Sequence, residues 1–256
     1  MSGKIKQLLD AGEKVRVMSS GSLISPKMID AIGSLGIVDG IWIDQEHNDI
    51  HHRDLELMLM ACRSAGLDAF SRVPPNDYGT IMRPYEAGCS GVMVAQVRTL
   101  DQVETAVQWA KFPPLGTRGM FGANAESNYG SLSPPEYVEM ANRDRWVAIQ
   151  IETAEAVEIA DQIAATEGVD LLFIGPADLA VTLGVPGDLL NPKCVAALQR
   201  VSSAAQAAGI RWGAVSPTLE HARKCSELGC QLHSVFGEFT ALKQGLLAQQ
   251  ETFREI

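Results

Sequence analysis

The sequence predicts a single (β/α)8 TIM barrel, and three observations carry that reading. Short, nearly unbroken apolar runs alternate with longer helical patterns until eight strand candidates have been counted. No linker rich in Pro, Gly or Ser divides the alternation, so residues 1–256 read as one domain. The chain length of 256 residues also suits this fold, which typically takes about 250 residues. Continuous rather than alternating hydrophobicity marks parallel strands covered on both faces. An open doubly wound sheet is the other arrangement of such units, but no G-x-G-x-x-G follows the first strand.

The elements follow in order. The opening "MSGKIKQLLDAGEKVRVM" sets Ile5, Leu8 and Leu9 on one face and then turns to charge, which predicts a short amphipathic helix capping the barrel rather than a secretory segment. Strands are expected at 15–18, 40–44, 69–73, 91–97, 146–152, 171–175, 211–215 and 232–236. Helices are expected at 52–64, 100–111, 154–166, 192–208 and 217–228, several of them stopped by Gly66, Gly168, Gly209 or Gly229. The connection 112–144, "FPPLGTRGMFGANAESNYGSLSPPEYVEMANRD", is too long for an ordinary barrel loop and is expected to wall the site or to meet another subunit.

Composition narrows the partners. A formal charge of −10 with no basic run argues against nucleic acid, which is bound through clustered Lys and Arg. No segment approaches the ~18–20 apolar residues of a membrane span. The five cysteines, Cys62, Cys89, Cys194, Cys225 and Cys230, are odd in number and form no Cys-x-x-Cys. They read as reduced core thiols of a cytoplasmic protein.

Enzymes on this fold place their sites at the strand C-terminal ends, so those ends are where chemistry is sought. Glu152 and Asp178 stand one βαβ step apart and would aim two hard oxygen ligands at one point, as Mg²⁺ or Mn²⁺ requires. Each could instead cap the helix that follows it. His47 has Asp44 three residues earlier, so a carboxylate could hold one imidazole nitrogen while the other serves as a general base; the alternative is an exposed loop histidine. His47 and His51, four apart, form a rival ligand pair only if they share a helix. Arg72 ends an apolar strand, where a guanidinium needs a partner: a substrate carboxylate or enolate, or a structural pair with Asp44 or Glu46. Arg118, among glycines in "GTRGMFG", is a weaker anion-binding candidate of the same kind.

The pieces "GIWIDQEHND", "RVPPND", "YEAGCSGVMVAQV", "AKFPPLGTRG", "IQIET" and "GVDLLFIGPADLA" stand in the order and spacing of the HpcH/HpaI aldolase family, the metal-dependent pyruvate aldolases. The chain resembles that family from about Val15 to Gly237. The resemblance implies a (β/α)8 barrel of the phosphoenolpyruvate/pyruvate superfamily, a homo-oligomer (hexamer or trimer of dimers), and a C-terminal helix exchanged between subunits. It implies Glu152 and Asp178 as ligands of Mg²⁺ or Mn²⁺, with Co²⁺ as a further possibility, and His47 with Asp44 as an acid/base dyad. Arg72 becomes the stabiliser of the enolate and keto oxygen, and Gln150 a polar neighbour of the metal. The segment Gly175, Pro176 and Ala177 would hold the pyruvate carboxylate through amides around Gly175 and Ala177.

The implied activity is that of a carbon–carbon lyase. A 4-hydroxy-2-oxo acid would be cleaved reversibly into pyruvate, or a related 2-oxo acid, and an aldehyde through a metal-bound enolate, without a lysine Schiff base. Another enolate reaction on the same residues is the alternative: citrate-synthase-like or citryl-lyase-like condensation and cleavage, or oxaloacetate decarboxylation. A barrel that only binds or assembles is a third reading, against which the full set of polar strand ends speaks. Departures from the family pattern are Gln45 in place of Gly, expected to narrow the pocket, Glu86 in place of Asp, Trp212, and Phe236-Gly237-Glu238 in place of Gly-x-Asp.

Overall fold

The structure is a computed structural model and describes residues 3–23 and 25–256. In chain order the elements are α1 (Lys4–Asp10), β1 (Val15–Ser20), α2 (Pro26–Leu35), β2 (Gly40–Asp44), α3 (His52–Ser64), β3 (Asp68–Val73), α4 (Tyr78–Ala87), β4 (Gly91–Val94) and α5 (Leu100–Ala110). Then come α6 (Pro134–Asp144), β5 (Trp146–Ile151), α7 (Ala154–Glu158), α8 (Ala160–Ala165), β6 (Leu171–Ile174), α9 (Pro176–Thr182) and α10 (Pro192–Ala208). The chain ends with β7 (Arg211–Val215), α11 (Leu219–Glu227), β8 (Leu232–Gly237) and α12 (Glu238–Arg254). Each strand pairs in parallel with the next, and β8 returns to β1, closing the expected barrel.

Two-residue periodicity divides each strand between two cores. Val15, Val17, Trp42, Phe70, Met93, Trp146, Ala148, Leu171, Phe173 and Leu232 fill the barrel interior. Intervening residues such as Val147, Ile149, Ile151, Leu172 and Ile174 pack outward against the helices. The interior cluster also takes Ile5 and Leu9, so α1 plugs the N-terminal mouth as its amphipathic pattern predicts. The Ile5 N–H anchors it by donating to Asp68 at 2.8 Å.

Several boundaries differ from the sequence reading for local reasons. β4 ends at Val94 rather than 97, because Gln96 turns into the left-handed region with φ 53°. The helix expected over 154–166 is two, α7 and α8, meeting at Ile159. The 112–144 connection is not all loop: Pro134 starts α6, and the Glu136 carboxylate accepts from the Ser133 N–H at 2.9 Å. The rest of that connection is packed around one buried acid. Arg118 and Arg145 both donate to Glu126 at 3.2 Å, and Tyr137 donates its hydroxyl at 2.6 Å. Arg118 also lies 4.6 Å from the centre of the Phe112 ring. It therefore serves a structural ion pair, and the anion-binding reading of Arg118 is withdrawn.

Candidate active site at the C-terminal mouth

The register places Asp44 beside Arg72 at the ends of β2 and β3. Arg72 donates to both oxygens of Asp44, from Nε at 3.0 Å and from Nη2 at 2.7 Å. Its Nη1 stands 3.2 Å from Glu46 Oε2, an ion-pair distance without hydrogen-bond alignment. The guanidinium rests 4.8 Å above the Trp42 ring, which Ser234 holds through the indole N–H at 2.8 Å. Of the two partners open to Arg72 from sequence, the structural acids are the ones it meets. A forked pair of this kind fixes a cation's orientation better than a lone contact.

Asp44 does not hold the His47 ring, contrary to the expectation for that pair. Its Oδ1 accepts from the backbone N–H of Glu46 at 3.1 Å and of His47 at 3.3 Å, and its Oδ2 from the Asn48 amide at 3.2 Å. The tight turn after β2 brings the His47 backbone over Asp44 and sends the ring outward, 60% exposed, with Nε2 3.9 Å from Glu46 Oε2. Glu46 is thus the carboxylate beside the imidazole. His51 precedes α3 as its N-cap residue, and His52 faces Glu56 at 3.6 Å, so His47 and His51 share no helix.

Across the mouth, β5 delivers Gln150 and Glu152. Glu152 is fully buried; its Oε1 accepts the Gln96 N–H at 2.7 Å, and the Gln150 amide donates to Oε2. It does not cap the following helix, because Thr153 does so by accepting from the Ala156 N–H at 3.1 Å. Burial pushes the Glu152 carboxyl up to about 7, and the charges of Glu46 and Asp178 add to the push, while the Gln96 N–H and Arg72 oppose it. Asp178 lies half-buried in the first turn of α9, where an acid is also favoured by the helix dipole.

Gly175 leaves the room these groups need. A Cβ there would stand 2.5 Å from both Gln150 Nε2 and Glu152 Oε2. The Gly175 N–H is spent on Ile151 O at 3.2 Å, and Pro176 has none to offer. Ala177, in the first helical turn, keeps an N–H without an intrahelical acceptor. Of the two amides expected to bind a carboxylate, Ala177 is therefore the available one. Among the described residues no group of three or more His, Cys, Asp or Glu side chains is set to hold a metal.

The departures fall in different places. Gln45 points away from the mouth, accepting from Ser71 Oγ at 2.7 Å, and lines a lateral cavity of about 350 Å³ with Asn48, His51, Asn76, Asp77 and Arg83. It does not narrow the centre. Trp212 sits in the outer core near the opposite end of the barrel. Glu86 is half-buried on α4, and burial raises its carboxyl. Sequence reasoning missed Gln96, whose left-handed turn no residue pattern announces, and gave Glu46 too small a part.

Residues 21–238 match the HpcH/HpaI aldolase/citrate lyase family. A 5-keto-4-deoxy-D-glucarate aldolase of Salmonella paratyphi C (strain RKS4594) is 29% identical over 245 residues, covering 96% of this chain and 94% of that protein. An HpcH/HpaI aldolase from Desulfitobacterium hafniense DCB-2 superposes with a TM-score of 0.93 at 27% identity, covering 100% of this chain and 98% of that one. An aldolase/citrate lyase family protein from Burkholderia cenocepacia J2315 gives 0.90 at 32% identity over 99% of this chain and 100% of its own.

Proposed function

This chain belongs to the HpcH/HpaI aldolase/citrate lyase family, and from that premise we propose that it reversibly cleaves a 4-hydroxy-2-oxo acid into pyruvate, or a related 2-oxo acid, and an aldehyde. What supports the reading is the placement of Glu152 and Asp178 just past the ends of the neighbouring strands β5 and β6, at the same mouth as an anchored Arg72.

A divalent ion, Mg²⁺ or Mn²⁺ with Co²⁺ as a further candidate, fits these residues. The donors are hard oxygens, Gln150 Oε1 and Glu46 Oε2 are buried without a hydrogen bond, and the bare Cα of Gly175 keeps the space open. Glu152 and Asp178 would hold the ion, with Gln150 beside it. When bound, it supplies Lewis acidity toward the oxygens of a 2-oxo acid.

The protein groups divide the remaining work. Ala177 offers its N–H, next to Gly175 and Pro176, to the substrate carboxylate. Arg72, held by Asp44 and Glu46, supplies positive charge where the enolate oxygen becomes negative, and because its orientation is set beforehand it reorganises little during reaction. His47 projects at the rim, where Nε2 can take the proton of the 4-hydroxyl as the C3–C4 bond breaks and return it in the reverse direction. Asp44 orients Arg72 and the turn that carries His47. Condensation of the enolate with a thioester, or decarboxylation of oxaloacetate, would use the same set, and the family's inclusion of citrate lyases keeps that second reading.

The protein is further proposed to form a cytoplasmic homo-oligomer, a hexamer or trimer of dimers, with α12 exchanged between subunits. Exposed apolar residues on α12 support that assembly. The test of the activity is proton exchange. Pyruvate incubated in D₂O with the protein and Mn²⁺ or Mg²⁺ is expected to lose its methyl proton signal, and chelator or Glu152→Ala is expected to stop the loss. Aldehydes and acyl thioesters added afterward separate the two readings by their products. Absence of exchange with every divalent ion would reject enolisation of pyruvate.

A further inference from the structure

Glu238 is the first residue of α12, yet its side chain leaves that helix and enters the loop after β1. One carboxylate oxygen accepts three consecutive backbone N–H groups, from Gly21 at 2.7 Å, Ser22 at 2.7 Å and Leu23 at 3.2 Å. Successive amides converging on one oxygen form a compact anion cradle. Here the chain fills the cradle with its own buried acid, 7% exposed.

The cradle is tied to the candidate site. Ser22 Oγ donates to Asn48 Oδ1 at 3.2 Å, and the Asn48 amide donates to Asp44 Oδ2 at 3.2 Å. Asp44 in turn receives Nη2 of Arg72 through that same oxygen at 2.7 Å. An unbroken polar path therefore runs from the start of the C-terminal helix to the guanidinium in the mouth.

Two glycines permit the path. A Cβ on Gly21 would lie 2.8 Å from Asn48 Nδ2 and 3.1 Å from the Asp44 carbonyl, so any larger residue would drive Asn48 off Asp44. A Cβ on Gly237 would collide with Ser19 Oγ, where β8 passes β1 at a shift in register. With side chains at either point, Glu238 or Asn48 would lose its partner.

We propose that Glu238 is a positioning residue for the catalytic turn after β2, transmitting the docking of α12 through the 21–23 cradle and Asn48 to Asp44 and Arg72. The inference rests on the enolate reading for its effect on rate, but the coupling itself does not. Charge is what distinguishes this role from simple packing. Glu238→Gln keeps the shape and leaves one amide oxygen for the three N–H groups, but removes the negative charge they face.

The experiment uses the full-length protein with pyruvate and Mn²⁺, comparing Glu238→Gln, Asn48→Ala and the double variant, with Ser22→Ala as a cut at the middle of the path that leaves the cradle N–H groups in place. Each single change is expected to lower kcat for exchange about tenfold, the size of effect lost with one hydrogen bond to a charged group, with KM moving less than about twofold. The double variant is expected to match the worse single one, since both cut one path. Multiplying effects, or a Glu238→Gln protein that melts earlier but keeps its kcat, would overturn the proposal.

Amide hydrogen exchange supplies the arm independent of activity. Glu238→Gln is expected to speed exchange at residues 44–48 as well as at 21–23. Faster exchange confined to 21–23 would overturn the coupling. If the wild-type protein exchanges no pyruvate protons, the enolate reading fails, and the amide pattern alone decides whether Glu238 governs the turn. Should Glu238→Gln fail to fold, Ser22→Ala and Asn48→Ala carry the same comparison from the other side of the path.

Discussion

At Gly175 a single methyl group would reach both Gln150 and Glu152, 2.5 Å from a polar atom of each. Gly175→Ala is therefore expected to weaken Mn²⁺ binding at least about tenfold by calorimetric titration, while overpacking costs about 1–3 kcal/mol of stability. Unchanged affinity would show that Glu152 is not the ligand. A second residue answers to pH. His221 is 1% exposed, its Nε2 has no hydrogen-bond partner among the described residues, and its Nδ1 lies 3.4 Å from Ser216 Oγ. Burial lowers its pKa, so the folded protein resists protonating it. The neutral ring's contribution is present above the unfolded value of about 6.5 and is lost as pH falls below it. Melting temperature is expected to drop as pH falls below about 6.5, and to drop less in His221→Leu; equal slopes would clear His221. The residues legible from sequence share one property. Asp44, Arg72, Gln150 and Glu152 sit at strand ends, where a period of two decides which way a side chain points. Glu46, His47 and Gln96 lie just beyond, where turn geometry decides, and there the assignment of Asp44 to the His47 ring failed.

At the scale of elements, all eight strands were readable because burial on both faces leaves continuous apolar runs. The connection 112–144 hid α6, although Ser133 followed three residues later by Glu136 is a capping-box signal that could have announced it. Its anchor was not readable either, since nothing local says that Arg118, Glu126 and Arg145 will meet. Glu126 is fully buried between two arginines. Removing the acid alone breaks its buried ion pair with Arg118, and breaking a buried pair from one side costs about 3–5 kcal/mol. Glu126→Ala is therefore expected to lower the urea midpoint sharply, whereas Arg143→Ala, an exposed side chain paired with the exposed Glu139 and the half-buried Asp144, is expected to change it little. Similar losses in the two variants would mean that the connection is not anchored through Glu126.

The barrel at the scale of the whole molecule leaves one element unaccounted for. Phe239, Leu242, Leu246 and Phe253 recur at helical spacing along α12, and each is exposed in the single chain. A helix of 17 residues in a protein draws most of its stability from packing an apolar face, and this one's stripe is open for such packing. Each large apolar side chain so covered contributes about 1.5–3 kcal/mol, enough in sum to hold subunits together. Light scattering on the eluting protein is expected to give six times the 27.6 kDa protomer mass, and Leu242→Asp with Leu246→Asp to give smaller species. Because Glu238 opens the same helix, those smaller species are also expected to lose exchange activity without losing the barrel's circular dichroism. A protein that is monomeric at the outset, or dissociated subunits that retain full activity, would separate the helix from the site and leave its apolar stripe to some other partner.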